Sequence, residues 1–430
     1  MTANALSILF VFALIANALV KLWLATRQIR HVAGHRSAVP PAFAEQISLT
    51  SHQRAADYTI AKVRFQLIEF AVSTAVLVGF TLLGGAQWIY ELCAQWLPES
   101  PWTAQVVFLI AAMALLGLVD IPFSLYRQFR LEKRFGFNRM TLGLYLSDLV
   151  KGTLIGALIA VPMAGLVIWL MQSAGQWWWL ATWIVWTVFS LTLMVIYPTV
   201  IAPRFNKFEP MPDNALRQRV EALLKRCGFT SQGLFVMDGS RRSSHGNAYF
   251  TGFGRAKRIV FFDTLISRLN GEQIEAVLAH ELGHFKHKHI TKRLAMSLLT
   301  SFAGLALLGW LATQPWFYAG LGMSPGQIGF EAPALLLFLL VVPVFTFMLR
   351  PLMSSLSRKD EFEADAFAAE QTRADDLVSA LVRLYEDNAS TLTPDPLHSA
   401  FYDSHPSANE RVARLLGSTK ITTGTQTAGA

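Results

Sequence analysis

Seven stretches of this chain of 430 residues are apolar and long enough to lie in a lipid bilayer, and no other feature limits its fold as strongly. They fall at about 5–24, 66–85, 104–126, 152–171, 178–201, 294–313 and 333–350. Each is near the roughly 20 residues a helix needs to cross the hydrocarbon core. Backbone in lipid must satisfy its own hydrogen bonds, so runs of this length enter as helices. Composition agrees: hydrophobic residues make up 53% and charged residues 15%, against about 25% charged in soluble domains. Too little charge is left to coat a water-facing surface. The first stretch lacks a basic start and a small-residue cleavage site, and its positive charges, Lys21, Arg27 and Arg30, follow it. It reads as a retained anchor.

The loops alternate in charge. Arg27, Arg30, Arg36, Arg54, Lys62 and Arg64 lie between the first two stretches, and loop 86–103 has no Lys or Arg. Arg127, Arg130, Lys133, Arg134, Arg139 and Lys151 follow, then an uncharged turn near 172–177. Segment 202–293 is basic, 314–332 is not, and Arg350, Arg358 and Lys359 come after the last stretch. Surplus Lys and Arg marks cytosolic loops. The N-terminus is therefore expected outside, and segments 202–293 and 351–430 are expected together in the cytosol. The membrane would be the bacterial cell membrane, or the endoplasmic reticulum in a eukaryote. Cys93 and Cys227 then lie on opposite sides and cannot pair. Glu69, Asp120 and Asp148 sit in or near spans, where charges mark functional sites unless they simply reach water.

The net charge of +8 does not signal nucleic acid, because no basic–aromatic cluster or binding module accompanies it. Nor is a nucleotide expected: Gly252 and Gly254 do not complete a dinucleotide fingerprint, and no Walker-type loop is present. The polar segments read as mixed α and β, with a helix over 213–227 and short strands at 233–238 and 257–263. The expected organisation is five spans in 1–201, half of a water-facing domain in 202–293, two spans in 294–350, the other half in 351–417, and a disordered tail at 418–430.

The chemistry concentrates in Asn270–His289. Asn270 can cap a helix, with Gln273 reaching back, and Ile274, Val277, Leu278 and Leu282 mark its apolar face. This helix carries His280-Glu281-Leu282-Gly283-His284. A spacing of four sets two imidazoles on adjacent turns of one face, where both can bind one zinc ion. Glu281 is placed to take a proton from water at the metal. His287 and His289 trail into a basic stretch and read as solvated interface residues. A third ligand is needed, and Asp360, Glu361 and Glu363 after the last span all qualify by spacing. Glu361 and Asp365 share a helix face, so one can ligate while the other fixes a histidine tautomer. His405, six residues before Arg411, offers a group to stabilise an oxyanion.

These motifs occur with Lys133–Asn138, Ile201–Phe208, Asn247–Gly252, Phe262–Leu265, the EFEAD run at 361–365 and the HPS element at 405–407. Together they resemble the CAAX prenyl protease 1 family of integral-membrane zinc endopeptidases, and more distantly the membrane protease HtpX. The resemblance implies a mainly α membrane protein of about seven helices enclosing a chamber, with a small α+β zincin-like metalloprotease domain on the cytosolic side. It implies one zinc ion per chain on His280, His284 and Glu361, with Glu281 as base and Asp365 behind the metal shell. His405 and Arg411 would line the site, and Asn247 would open an edge strand that holds the peptide by backbone pairing. The namesake reaction removes the last three residues after a prenylated cysteine. Other readings are a quality-control protease of the HtpX kind without prenyl specificity, and a non-catalytic zinc-binding scaffold. A scaffold would close its zinc with four protein ligands, whereas three and a base are found.

Overall fold

The computed structural model describes residues 1–229, 233–251, 258–326 and 328–426. Among the described residues, seven helices are long and apolar enough to cross a membrane: Ala3–Gly34, Leu49–Phe80, Pro101–Glu132, Leu142–Ser173, Gly175–Arg204, His289–Leu311 and Glu331–Gln371. The protein is a multi-pass integral membrane protein. Several spans are 32 residues long, about 48 Å at 1.5 Å per residue, against a hydrocarbon core of about 30 Å. The surplus carries helix into water, where it meets the polar segments. None of the fifth span's most apolar window is buried within the protein, and only 6% in the second and sixth. Helices that touch along such narrow stripes bury little of their apolar surface against one another.

One boundary differs from the hydropathy reading. The second span ends at Phe80, and Gly84, with φ of 77°, turns the chain into a separate helix, Gly85–Trp96. A Cβ on Gly85 would lie 2.7 Å from the Gly79 carbonyl oxygen, so this return needs glycine. Hydropathy averages across such a turn. At its other end the span starts at Leu49, well before the apolar run, as a capped helix in water (Ser48 accepts from Ser51 N–H).

Two of the three charges flagged near spans are paired. Glu69 bonds Arg127, and Asp148 takes both ends of the Arg242 guanidinium at 2.9 and 3.1 Å. Asp120 is exposed. The Asp148 pair joins the fourth span to the polar segment between the fifth and sixth.

The two polar segments share one hydrophobic core. Val220, Leu223, Ile259, Phe261, Ile274, Leu278 and Leu282 come from the first, and Phe367, Leu377, Leu381, Val412 and Leu415 from the second. Among the described residues its sheet has four strands, β1 (Phe208–Pro210), β2 (Leu234–Met237), β3 (Ala248–Thr251) and β4 (Arg258–Phe262), in the order β1-β2-β4-β3. The two strands expected from sequence, β2 and β4, are its parallel centre, and β1 and β3 flank them antiparallel. β1 is three residues long and carries no alternation to find. Gly252 and Gly254 lie outside the described residues. Cys93 and Cys227 are both free thiols.

The final helix, Ala408–Gln426, extends through much of the tail read as disordered. Its first turns are anchored by buried Val412 and Leu415, and a nucleated helix propagates cheaply into polar sequence. Residues 427–430 lie outside the described ones.

Candidate metal centre

Three local decisions assemble the site. First, the helix Gly271–Lys286 starts with the expected capping box: Asn270 accepts from Gln273 N–H at 2.9 Å, and the Gln273 side chain accepts from Asn270 N–H at 3.0 Å. Its apolar stripe packs on the sheet and turns His280 and His284 together, with ring centroids 4.9 Å apart and planes perpendicular. Second, the helix Arg350–Gln371 crosses it and presents Glu361 and Asp365, 2% and 3% exposed. Third, Ser407 and Glu410 form a reciprocal cap, Ser407 N–H to Glu410 at 2.9 Å and Glu410 N–H to Ser407 at 3.3 Å. That cap starts the last helix and sets Arg411 in its first turn.

Glu361 Oε2 lies 3.5 Å from His280 Nε2, and Glu361 Oε1 lies 3.4 Å from His284 Nε2. Ligand atoms held tetrahedrally around zinc at about 2.1 Å stand roughly 3.4 Å apart. The spacing is thus long for hydrogen bonds and right for a shared cation. His280, His284 and Glu361 offer ligand atoms all within 4.8 Å of one another. The donor set fits zinc: two borderline nitrogens and one carboxylate, with a coordination position to spare.

Behind His280 the supports are tight. Asp365 Oδ1 is 2.8 Å from His280 Nδ1, which fixes the proton on Nδ1 and leaves Nε2 free to bind. Arg411 grips Asp365 through Nε at 2.8 Å and Nη2 at 2.5 Å. Burial disfavours charge on His280, but the carboxylates of Asp365 and Glu361 outweigh it and raise this imidazole to about 9. A cation at Nε2 would displace that proton. Glu281 is half-buried beside them. Burial raises its carboxyl above the ordinary value, while His280 and His284 oppose the rise.

Two of the expected site residues make contacts that spacing did not specify. Arg411 was expected to line the peptide site, yet it is 6% exposed and spent on Asp365. His405, expected at the oxyanion, has its Nδ1 2.7 Å from Glu361 Oε2 and so abuts the candidate ligand carboxylate. Asn247 precedes β3, which the strand order leaves at the sheet edge. The Asn247 carbonyl accepts from Phe262 N–H at 3.0 Å, so it is tied to β4.

Three residues make contacts that the sequence reading did not foresee. Gly283 lets the two helices touch: a Cβ there would lie 2.8 Å from Ala364 Cα. His289, expected in solvent, is 1% exposed and bonds His284, and Glu363 bonds His289. A glycine and an alanine at matching places were a readable sign of close helix contact. The His289 contact crosses a break between helices, which periodicity does not cross. His287 is the solvated one of the pair.

Comparison with known proteins covers nearly the whole chain. Residues 28–207 match the family described as CAAX prenyl protease N-terminal, five membrane helices, and residues 210–419 match peptidase family M48. The CAAX prenyl protease 1 homolog of Arabidopsis thaliana is 35% identical over 394 residues, spanning 89% of this chain and 92% of the relative. CAAX prenyl protease 1 of Saccharomyces cerevisiae is 33% identical over 405 residues, 88% of each chain. The crystal structure of S. mikatae Ste24p superposes with a TM-score of 0.88 at 30% identity, over 95% of this chain and 99% of that one.

Proposed function

Because the chain belongs to peptidase family M48, as a membrane metalloendopeptidase resembling the CAAX prenyl proteases, we propose that it uses one zinc ion to cleave the C-terminal tripeptide that follows a prenylated cysteine. The carrying observation is the convergence of His280, His284 and Glu361 on one point in a chain that matches CAAX prenyl protease 1 relatives over most of their length.

His280, His284 and Glu361 would hold the ion. Bound there, zinc supplies a Lewis acid that polarises the scissile carbonyl and acidifies water. Glu281 takes the proton from the attacking water as the carbon–oxygen bond forms. It gives that proton to the amide nitrogen as the carbon–nitrogen bond breaks. Burial raises its carboxyl above the ordinary value, which favours proton acceptance. Asp365, held by Arg411, keeps His280 in the tautomer that presents Nε2. His405 steadies Glu361 from the solvent side. β3, which ends the strand order among the described residues, would receive the peptide as an added strand, with Asn247 at its start. By the loop charges the site and the C-terminus face the cytosol.

The test is cleavage of a farnesylated C-terminal peptide against its unprenylated twin by the purified protein. The farnesylated peptide should be cut much faster; equal rates would remove prenyl specificity and favour a general membrane-protein protease.

A further inference from the structure

The two candidate ligand histidines are held differently. His280 Nδ1 faces a carboxylate directly. His284 Nδ1 faces another imidazole: it lies 2.9 Å from His289 Nδ1, and His289 Nε2 lies 3.0 Å from Glu363 Oε2. A histidine that offers Nε2 to a metal carries its proton on Nδ1, so His284 donates to His289. His289 then accepts on Nδ1, carries its own proton on Nε2 and donates it to Glu363. With a metal on His284 Nε2, this assignment satisfies both contacts.

The backbone is bent to make it. The motif helix ends at Lys286, and the sixth span begins at His289. Between them Lys288 sits at φ 57° and ψ 32°, a left-handed conformation that lysine rarely adopts. At that turn His289, buried to 1% exposure, meets His284. A solvated loop would have no reason to keep such a turn.

We infer that His289, backed by Glu363, is a positioning residue that fixes the tautomer and ring orientation of His284 and so ties the motif helix to the sixth membrane span. This rests on the metal-centre reading above. A second cation on His289, Asp360 and Glu363 is disfavoured. Arg293 already neutralises Asp360 at 3.2 Å, and both His289 nitrogens are engaged.

The experiment uses full-length protein in detergent, loaded with zinc, and follows release of the metal to a chromophoric chelator. A parallel cobalt-loaded sample reports ligand geometry by its visible spectrum. His289→Ala should release zinc about 10-fold or more faster than wild type and shift the cobalt bands. His289→Asn keeps an acceptor near Nδ1 and should recover most of the difference. Lys288→Gly keeps the turn and should match wild type. Should His289→Ala fail to fold, Glu363→Ala with His289→Asn carries the test, the former releasing zinc a few-fold faster and the latter near the wild-type rate. Wild-type release from His289→Ala or Glu363→Ala, or an Asn variant that loses metal as freely as Ala, would overturn the inference. Wild-type protein that takes up no zinc would instead sink the metal-centre reading itself.

Discussion

Gly283 rests on the backbone of Ala364: a Cβ added to the glycine would stand 2.8 Å from Ala364 Cα and 3.0 Å from its carbonyl oxygen. This contact lies between His280 and His284 on one side and Glu361 and Asp365 on the other, so it sets the gap across which a metal must fit. Gly283→Ala should push the helices apart by some tenths of an ångström, enough to loosen three-point coordination. We expect a fall in zinc affinity of about tenfold or more and a destabilisation of about 1–3 kcal/mol from overpacking. Gly417→Ala, where nothing lies within 4 Å, should leave both unchanged or gain up to about 1 kcal/mol of helix stability. Equal zinc affinity for Gly283→Ala and wild type, by competition with a chelator, would refute this.

Glu281→Gln should retain stoichiometric zinc, since the change touches no candidate ligand. It should lower kcat about 10²- to 10⁴-fold, the usual scale of a lost general base. Metal content by mass spectrometry and peptide turnover, measured on one preparation, separate the two effects. Unchanged turnover would exclude Glu281 as the base.

Removal of Arg411 should harm the protein more than removal of Asp365 together with it. Arg411→Ala leaves the Asp365 carboxylate, which is 3% exposed, with its His280 contact but without the guanidinium, and breaking one side of such a buried pair costs up to about 3–5 kcal/mol. The double variant Asp365→Asn/Arg411→Met removes both charges and should be milder in thermal unfolding, while still losing metal affinity through His280. If the double variant is the less stable, the electrostatic account of this pair is wrong.

Metal uptake should release protons. Without a cation His280 is raised to about 9, so in neutral buffer this ring is protonated, and binding at Nε2 must displace that proton. Zinc affinity should therefore rise with pH up to about 9, approaching tenfold per unit for one proton. Calorimetry in two buffers of different ionisation heat checks this; equal apparent heats near pH 7 would contradict it. A chelator should abolish cleavage and lower the melting temperature, and added zinc should restore both.

Loop charges make the orientation testable. A reporter fused after Ala430 should read as cytosolic, and one placed in the loop near 314–332, which has no Lys or Arg, should read as exported. The opposite pattern would invert the topology.

Much of this was legible along the chain because its signals are local. Span number follows from runs of apolar residues. The motif helix follows from Asn270, Gln273 and a spacing of four. The choice among Asp360, Glu361 and Glu363 was different: all three lie within one turn, and only the crossing at Gly283 and Ala364 decides which one faces the histidines. Arg411 and His405 were named as candidate site residues, but what they touch depends on how the last helix packs.

The amino-acid sequence alone determined that this protein lives in a membrane, how often it crosses, and which two histidines and which glutamate share a helix face. Those properties come from solvation and helical period, which act within about twenty residues. Tertiary structure alone decided that Glu361 meets His280 and His284, that Arg411 serves Asp365, and that His289 turns inward. These are contacts between segments tens of residues apart or across a helix break, and their geometry comes from packing, which no local pattern encodes.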